Sequence, residues 1–216
     1  MPVQVKICGI NSAVAADAAL RAGAEFGGLV FFAKSPRNLS LELGARLAER
    51  MRGRLQLAAL VVDEGDEKLA VIAAQVKPDF FQLHGNETPG RAADIRARFG
   101  IPIIKALPVA EHGDLSRASA YDDVAEMFLF DAMPAADATR PGGHGTAFDW
   151  RILNGRNFAR PWFLAGGLTP ENVVRAIEVS GAKMVDVSSG VESAPGVKNE
   201  SRIAEFAAAA KQPVRA

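Results

Sequence analysis

The residues able to do chemistry stand at the ends of apolar runs. Cys8 closes the run Val3 to Gly9, and a thiolate there is a competent base once a neighbour or a helix N-terminus lowers its pKa from the free value near ~8.5. Lys6, two residues earlier, points to the same side of an extended strand and is the natural neighbour. The plainer reading makes a lone cysteine a small buried hydrophobe. Asp131 follows Met127-Phe128-Leu129-Phe130, so a carboxylate emerges from a strongly apolar run and needs a partner, an altered pKa or a function. Kept neutral by desolvation it can serve as a general acid; otherwise it caps a helix or bonds a loop. Asp186 and Asp63 raise the same question more weakly. Arg37 offers a planar fork that fits a carboxylate, or else is a solvated loop arginine. His84 stands beside Gly85 at the end of a fourth run.

Two glycine-containing turns suit an anion. Gly166-Gly167 precedes a helix start read at Thr169-Pro170-Glu171, and Ser188-Ser189-Gly190 follows one unit later. Both supply backbone N–H groups that a phosphate can approach closely, and the serines add hydroxyl donors. The alternative is that the glycines only make tight turns. The stretch Pro141-Gly142-Gly143-His144-Gly145-Thr146, which follows the run carrying Asp131, reads as a lid over a site or as a passive linker. His84, His112 and His144 form no zinc-ligand spacing, and one cysteine cannot complete a structural site, so no metal is expected.

These side chains need a scaffold, and the apolar runs describe one. They span Val3 to Gly9, Phe26 to Phe32, Gln56 to Asp63, Asp79 to Gly85, Pro102 to Val109, Met127 to Met133, Pro161 to Gly167 and Met184 to Gly190, and begin about 26 residues apart on average. That spacing is close to the ~30 residues of a strand–helix–strand unit. Runs such as Phe80-Phe81-Gln82-Leu83 are too continuously apolar for a sheet wet on one side and fit parallel strands covered by helices. Helices are expected between them, with starts near Asn11, Ser40 and Thr169 and short fifth and sixth members near Asp114 to Ala120 and Phe148 to Arg156. A doubly wound open sheet binding a dinucleotide would carry a Gly-x-Gly-x-x-Gly turn after the first strand, where this chain has Cys8-Gly9-Ile10-Asn11-Ser12. Eight units therefore favour the α/β class as a single (β/α)₈ TIM barrel over residues 1–216. In that fold functional groups gather at the C-terminal strand ends, and phosphate binds after strands seven and eight.

Composition narrows the partners. Lys plus Arg and Asp plus Glu both total 25, so neither net charge nor a basic cluster draws nucleic acid to the chain. A single cysteine excludes an internal disulfide and fits a reducing compartment. No stretch reaches the ~20 apolar residues of a membrane helix, so the expectation is a cytoplasmic protein that meets no membrane, monomeric or homodimeric.

Taken in order, Lys6-Ile7-Cys8-Gly9, Lys34-Ser35-Pro36-Arg37, Gln82-Leu83-His84-Gly85, the run Gly142 to Trp150, Leu164-Ala165-Gly166-Gly167-Leu168 and Asp186-Val187-Ser188-Ser189-Gly190-Val191-Glu192 resemble the phosphoribosylanthranilate isomerases of tryptophan biosynthesis over nearly the whole chain. The resemblance implies an Amadori rearrangement of a phosphorylated ribosylamine without cofactor or metal. It makes Asp131 the acid that opens the ring and Cys8 the base that removes a proton from carbon. It gives Arg37 the substrate carboxylate, gives Gly166, Gly167, Ser188, Ser189 and Gly190 the phosphate, and sets His84 and Asp186 along the pocket. Two other readings stand beside it. The related histidine-pathway isomerase uses an aspartate at the end of strand one, where this chain has Cys8. A non-catalytic metabolite-binding barrel would keep the phosphate turns and lose the acid–base pair.

Overall fold

The computed structural model describes residues 2–133, 142 and 147–212. Eight parallel strands, each hydrogen-bonded to the next, close into a barrel: β1 Gln4–Cys8, β2 Phe26–Val30, β3 Gln56–Val61, β4 Phe80–Leu83, β5 Ile103–Val109, β6 Met127–Ala132, β7 Trp162–Leu164 and β8 Met184–Val187. Closure pairs β1 with β8 in a register that sets Lys6 opposite Asp186, while the β1–β2 register sets Cys8 opposite Gly28. The open-sheet alternative is thereby excluded.

Alternation along the strands divides the core in two. Phe26, Ala58, Phe80, Ile104, Leu129, Phe163 and Met184 form a closed apolar cluster inside the barrel, with Phe26 and Phe163 edge to face at 5.1 Å between ring centres. Val5, Ile7, Leu57, Phe81, Phe128 and Val185, on the other faces of the same strands, pack with the covering helices. Because residues two apart share a face, the same alternation turns Lys6 and Cys8, Gln82 and His84, Asp131, and Asp186 and Ser188 inward, above the apolar floor.

The covering helices are α1 Ala13–Arg21, α2 Leu41–Met51, α3 Asp66–Gln75, α4 Pro89–Phe99, α5 Val173–Ser180 and α6 Glu200–Ala210. Ser40 caps α2 as expected by accepting from the Leu43 amide at 3.1 Å. Ser12, one residue past the expected Asn11, caps α1 by accepting from Ala15. The third start is displaced. Asn172 turns back to accept the Thr169 amide at 2.8 Å and donate to the Gly167 carbonyl at 2.9 Å, so Thr169-Pro170-Glu171 forms a turn and α5 begins at Val173.

The fifth and sixth covers are 3₁₀ turns, His112–Tyr121 and Trp150–Leu153. In the first, the Ser116 hydroxyl donates to Gly113 O at 2.8 Å and the Ser119 hydroxyl to Ser116 O at 2.9 Å. Such local bonds offer the backbone an alternative to a regular α-helix. The strands also end earlier than the apolar runs. Gly166 and Gly167 take left-handed φ values of 83° and 67°, which stop β7 at Leu164. A short hairpin that the sequence reading did not anticipate, β9 Glu192–Ala194 with β10 Val197–Lys198, follows β8. The proposed lid, Pro141 to Thr146, lies outside the described residues except for Gly142.

Candidate active site

At the C-terminal end of the barrel Cys8, Arg37, His84, Asp131, Asp186 and Ser188 line one pocket, walled by Val30, Phe32, Leu60 and Val62 and enclosing about 470 Å³ of empty space to its open mouth. Five of the single side chains selected for chemistry in the sequence therefore meet. Of the residues expected to bind phosphate, Ser188 lines the pocket, whereas Gly166, Gly167, Ser189 and Gly190 are not among its lining residues. Gly190 packs against Leu168 so closely that a Cβ would fall 1.9 Å from Leu168 O, which fastens the strand-eight turn to the strand-seven turn. Among the described residues the Gly166 and Gly167 amides donate to no acceptor, as an anion-binding turn requires.

Cys8 is buried, and Gly28 makes room for it: a Cβ on Gly28 would stand 2.9 Å from Cys8 Sγ and 3.2 Å from Lys6 Nζ. Burial pushes the thiol above its ordinary pKa; Lys6, Lys198 and Arg37 pull it down and Asp186 pushes it further up. Lys6 does lower this pKa, as the strand alternation suggests, but burial outweighs it and the net shift is upward. Lys6 Nζ also lies 2.9 Å from Asp186 Oδ1 in a pair almost closed to solvent. For Lys6 itself, burial opposes the charge, but Asp186 and Cys8 outweigh it and hold the ammonium above its ordinary value.

Asp131 sits at the end of β6 with Oδ1 accepting its neighbour's amide, Ala132 N, at 2.9 Å and Oδ2 3.3 Å from His84 Nε2. The other His84 nitrogen, Nδ1, meets Gln82 Nε2 at 2.9 Å. Gly142 packs onto this pair, where a Cβ would come within 2.6 Å of Asp131 Oδ2 and 2.8 Å of His84 Nε2. Asp63 is differently employed: its Oδ1 accepts the Asn86 amide at 2.7 Å and braces the loop after β4.

Arg37 is buried, not a solvated loop residue, and part of its fork is already engaged. Its Nε and Nη2 donate to Glu192 Oε1 and Oε2 at 2.7 and 2.8 Å. Lys198 Nζ donates to Glu192 Oε1 at 2.8 Å and to Ser188 O at 2.9 Å, so the β9–β10 hairpin ties the strand-two loop to the strand-eight turn. Burial works against the Glu192 charge, but bonds from Arg37 and Lys198 outweigh it and hold the carboxyl below its ordinary range. Burial also pulls the Lys198 pKa down against the opposing pull of Glu192. Glu192, Lys198 and Gln82 were not selected from the sequence. Strand alternation relative to His84 signals Gln82, whereas nothing local signals that Glu192 reaches Arg37.

A pocket that offers a thiol, a carboxyl beside an imidazole, a guanidinium and an adjoining anion turn is equipped for proton transfer on a phosphorylated, carboxylate-bearing molecule. The comparisons agree with it. The family model described as N-(5'phosphoribosyl)anthranilate (PRA) isomerase matches residues 5–209. The chain belongs to this family. The N-(5'-phosphoribosyl)anthranilate isomerase of Paramagnetospirillum magneticum is 49% identical over 211 residues, covering 98% of each chain. That of Cereibacter sphaeroides strain ATCC 17023 is 50% identical over 209 residues, covering 97% of this chain and 99% of the relative. Among solved structures, phosphoribosyl anthranilate isomerase from Thermotoga maritima superposes with a TM-score of 0.86 at 36% identity, covering 97% of this chain and 98% of that one. A phosphoribosyl anthranilate isomerase in complex with reduced 1-(o-carboxyphenylamino)-1-deoxyribulose 5-phosphate has a TM-score of 0.83 at 35% identity over the same shares. A family fold of parallel strands closed on themselves is thus shared along almost the whole chain, and no described helix is long and apolar enough to cross a membrane.

Proposed function

We propose that this chain catalyses the Amadori rearrangement of N-(5′-phosphoribosyl)anthranilate to 1-(2-carboxyphenylamino)-1-deoxyribulose 5-phosphate, a cytoplasmic step of tryptophan biosynthesis. The observation that carries the reading is that Cys8 and Asp131 face one pocket from strands on different sides of the barrel. Asp131 protonates the ring oxygen, the C1′–O bond breaks, and the nitrogen lone pair forms an iminium. Cys8 then removes the C2′ proton to give an enolamine. Proton uptake at C1′ and loss from the C2′ hydroxyl yield the ketone, so every step is a proton transfer and the sum is an isomerisation.

The C2′ proton becomes acidic only once the iminium has formed, and a raised thiol pKa fits that order. Before ring opening Cys8 is a buried thiol; the iminium places a positive charge in the same low-dielectric pocket and favours its thiolate. Acid therefore precedes base. Arg37 has its Nε edge held by Glu192, which leaves Nη1 to meet the anthranilate carboxylate, with His84 and Asp186 along the pocket wall. The turns at Gly166-Gly167 and Ser188-Ser189-Gly190 hold the phosphate.

Purified protein is mixed with freshly made phosphoribosylanthranilate and the loss of its fluorescence is followed. Substrate that decays no faster than in buffer refutes the reading. Asp131→Asn and Cys8→Ala are each expected to lose at least ~10²-fold in turnover with unchanged circular dichroism. Near-wild-type turnover in both variants removes them from the mechanism.

A further inference from the structure

Gln82 is a fully buried amide on the interior face of β4, two residues before His84. Its Nε2 lies 2.9 Å from His84 Nδ1, while its Oε1 has no hydrogen-bond partner among the described residues. A buried polar atom left unpaired is a cost that an apolar side chain of similar length avoids, so the amide at this position asks for a use. The opposite ring nitrogen supplies one. An Nδ1 that accepts from Gln82 puts the proton of the neutral imidazole on Nε2, and Nε2 is the atom 3.3 Å from Asp131 Oδ2.

We infer that Gln82 is a positioning residue that fixes the His84 tautomer, so that an Nε2–H stands ready to stabilise the Asp131 carboxylate formed when Asp131 gives up its proton. This rests on Asp131 as the acid. With the proton on Nδ1, His84 would turn a lone pair toward that new negative charge and oppose the transfer. Catalytic contacts of this kind are commonly long before ligand binds and shorten in the complex. The other groups lining the pocket with titratable or charged character are Cys8, Arg37 and Asp186; Gln82 on the same strand and Asp131 on β6 meet His84 on separate nitrogens.

Long-range ¹H–¹⁵N NMR at pH 8 reads the tautomer directly. The chain has three histidines, and His112→Asn and His144→Asn assign the remaining signals to His84. The wild type is expected to carry the proton on Nε2. In Gln82→Glu the carboxylate can only accept, so the proton moves to Nδ1 and kcat falls roughly tenfold or more while KM stays within about twofold. Gln82→Met, which packs without donor or acceptor, covers failure of the charged variant to fold; it is expected to show a mixture of tautomers and an intermediate kcat. Three results overturn the inference: a wild-type proton on Nδ1, a changed tautomer with kcat unaltered, or a lost kcat with the tautomer unaltered. The spectrum is recorded without substrate. Its outcome is thus separable from that of the isomerase reading, which stands or falls on turnover by the wild type and Asp131→Asn.

Discussion

Asp186→Asn should destabilise the barrel strongly, because it strands a buried cation. Lys6 is wholly inaccessible and its Nζ is 2.9 Å from Asp186 Oδ1, on a side chain only 8% exposed. Removing one partner of a buried ion pair costs about 3–5 kcal/mol, since the remaining charge stays desolvated. With a urea m value of about 2 kcal/mol per M, the unfolding midpoint should fall by about 1.5–2.5 M. The measurement belongs in a Cys8→Ala background, which prevents the thiolate from replacing Asp186 as the counter-ion of Lys6. The double change Lys6→Met with Asp186→Leu removes both charges and should recover most of the loss, while leaving the enzyme inactive.

The pH dependence gives the same argument a sign. In the intact pair burial lowers the Lys6 pKa but Asp186 and Cys8 raise it further, so the folded value exceeds the reference value of 10.5. Its stabilisation is complete below 10.5 and disappears as pH rises through the folded pKa. Without Asp186 burial prevails and the folded value drops below the unfolded one. The variant then gains stability as pH rises toward 10.5, because the folded state releases its proton first. The stability gap between the Cys8→Ala background with and without Asp186 should therefore narrow between pH 7 and 10. A loss under about 1 kcal/mol, or a gap that widens with pH, would refute the account of Lys6 as a cation held by Asp186.

Two further outcomes follow from the pocket wiring. Because burial holds the Cys8 thiol above its reference value of 9.0, kcat/KM should still be rising beyond pH 9, whereas the cationic intermediate should move the corresponding limb of kcat to lower pH; identical limbs in steady-state profiles would contradict acid before base. Glu192→Gln weakens the hold on Arg37 and leaves Lys198 buried without its counter-ion. KM should rise by roughly tenfold or more as Arg37 loses its orientation, with about 3–5 kcal/mol lost in urea titration, and an unchanged KM would show that Arg37 does not depend on Glu192.

Much of the architecture was legible because burial on both faces leaves a strong mark. Phe80-Phe81-Gln82-Leu83 reads as a parallel strand and is one. The strand ends were less legible: Ala165-Gly166-Gly167 continues an apolar run in sequence, yet two successive left-handed residues end the strand. The 3₁₀ covers were obscured for a related reason, since serine hydroxyls at 116 and 119 bond locally in a segment of helical composition. The meeting of Cys8, His84, Asp131 and Asp186 in one pocket was legible from the barrel rule, because polar residues at strand ends converge whatever their separation along the chain.

The connections between those residues follow a different logic. Arg37 and Glu192 are 155 residues apart and Lys6 and Asp186 are 180 apart, so neither pair has a local signature. The second pair exists only because closure of β1 on β8 selects the register Lys6 with Asp186. Reading Cys8 with Lys6 alone captures the pull of the cation but not the burial that outweighs it. Strand one brings a cation near the sulfur, but the same closure that completes the barrel brings Asp186 to that cation and a negative charge to the thiol. Burial is the largest influence on the Cys8 thiol; Lys6 on the same strand pulls against it, and Asp186 across the seam adds to it. On the mechanism we propose, a thiol so buried becomes a base when its ligand supplies positive charge, which couples proton abstraction to the ring opening before it.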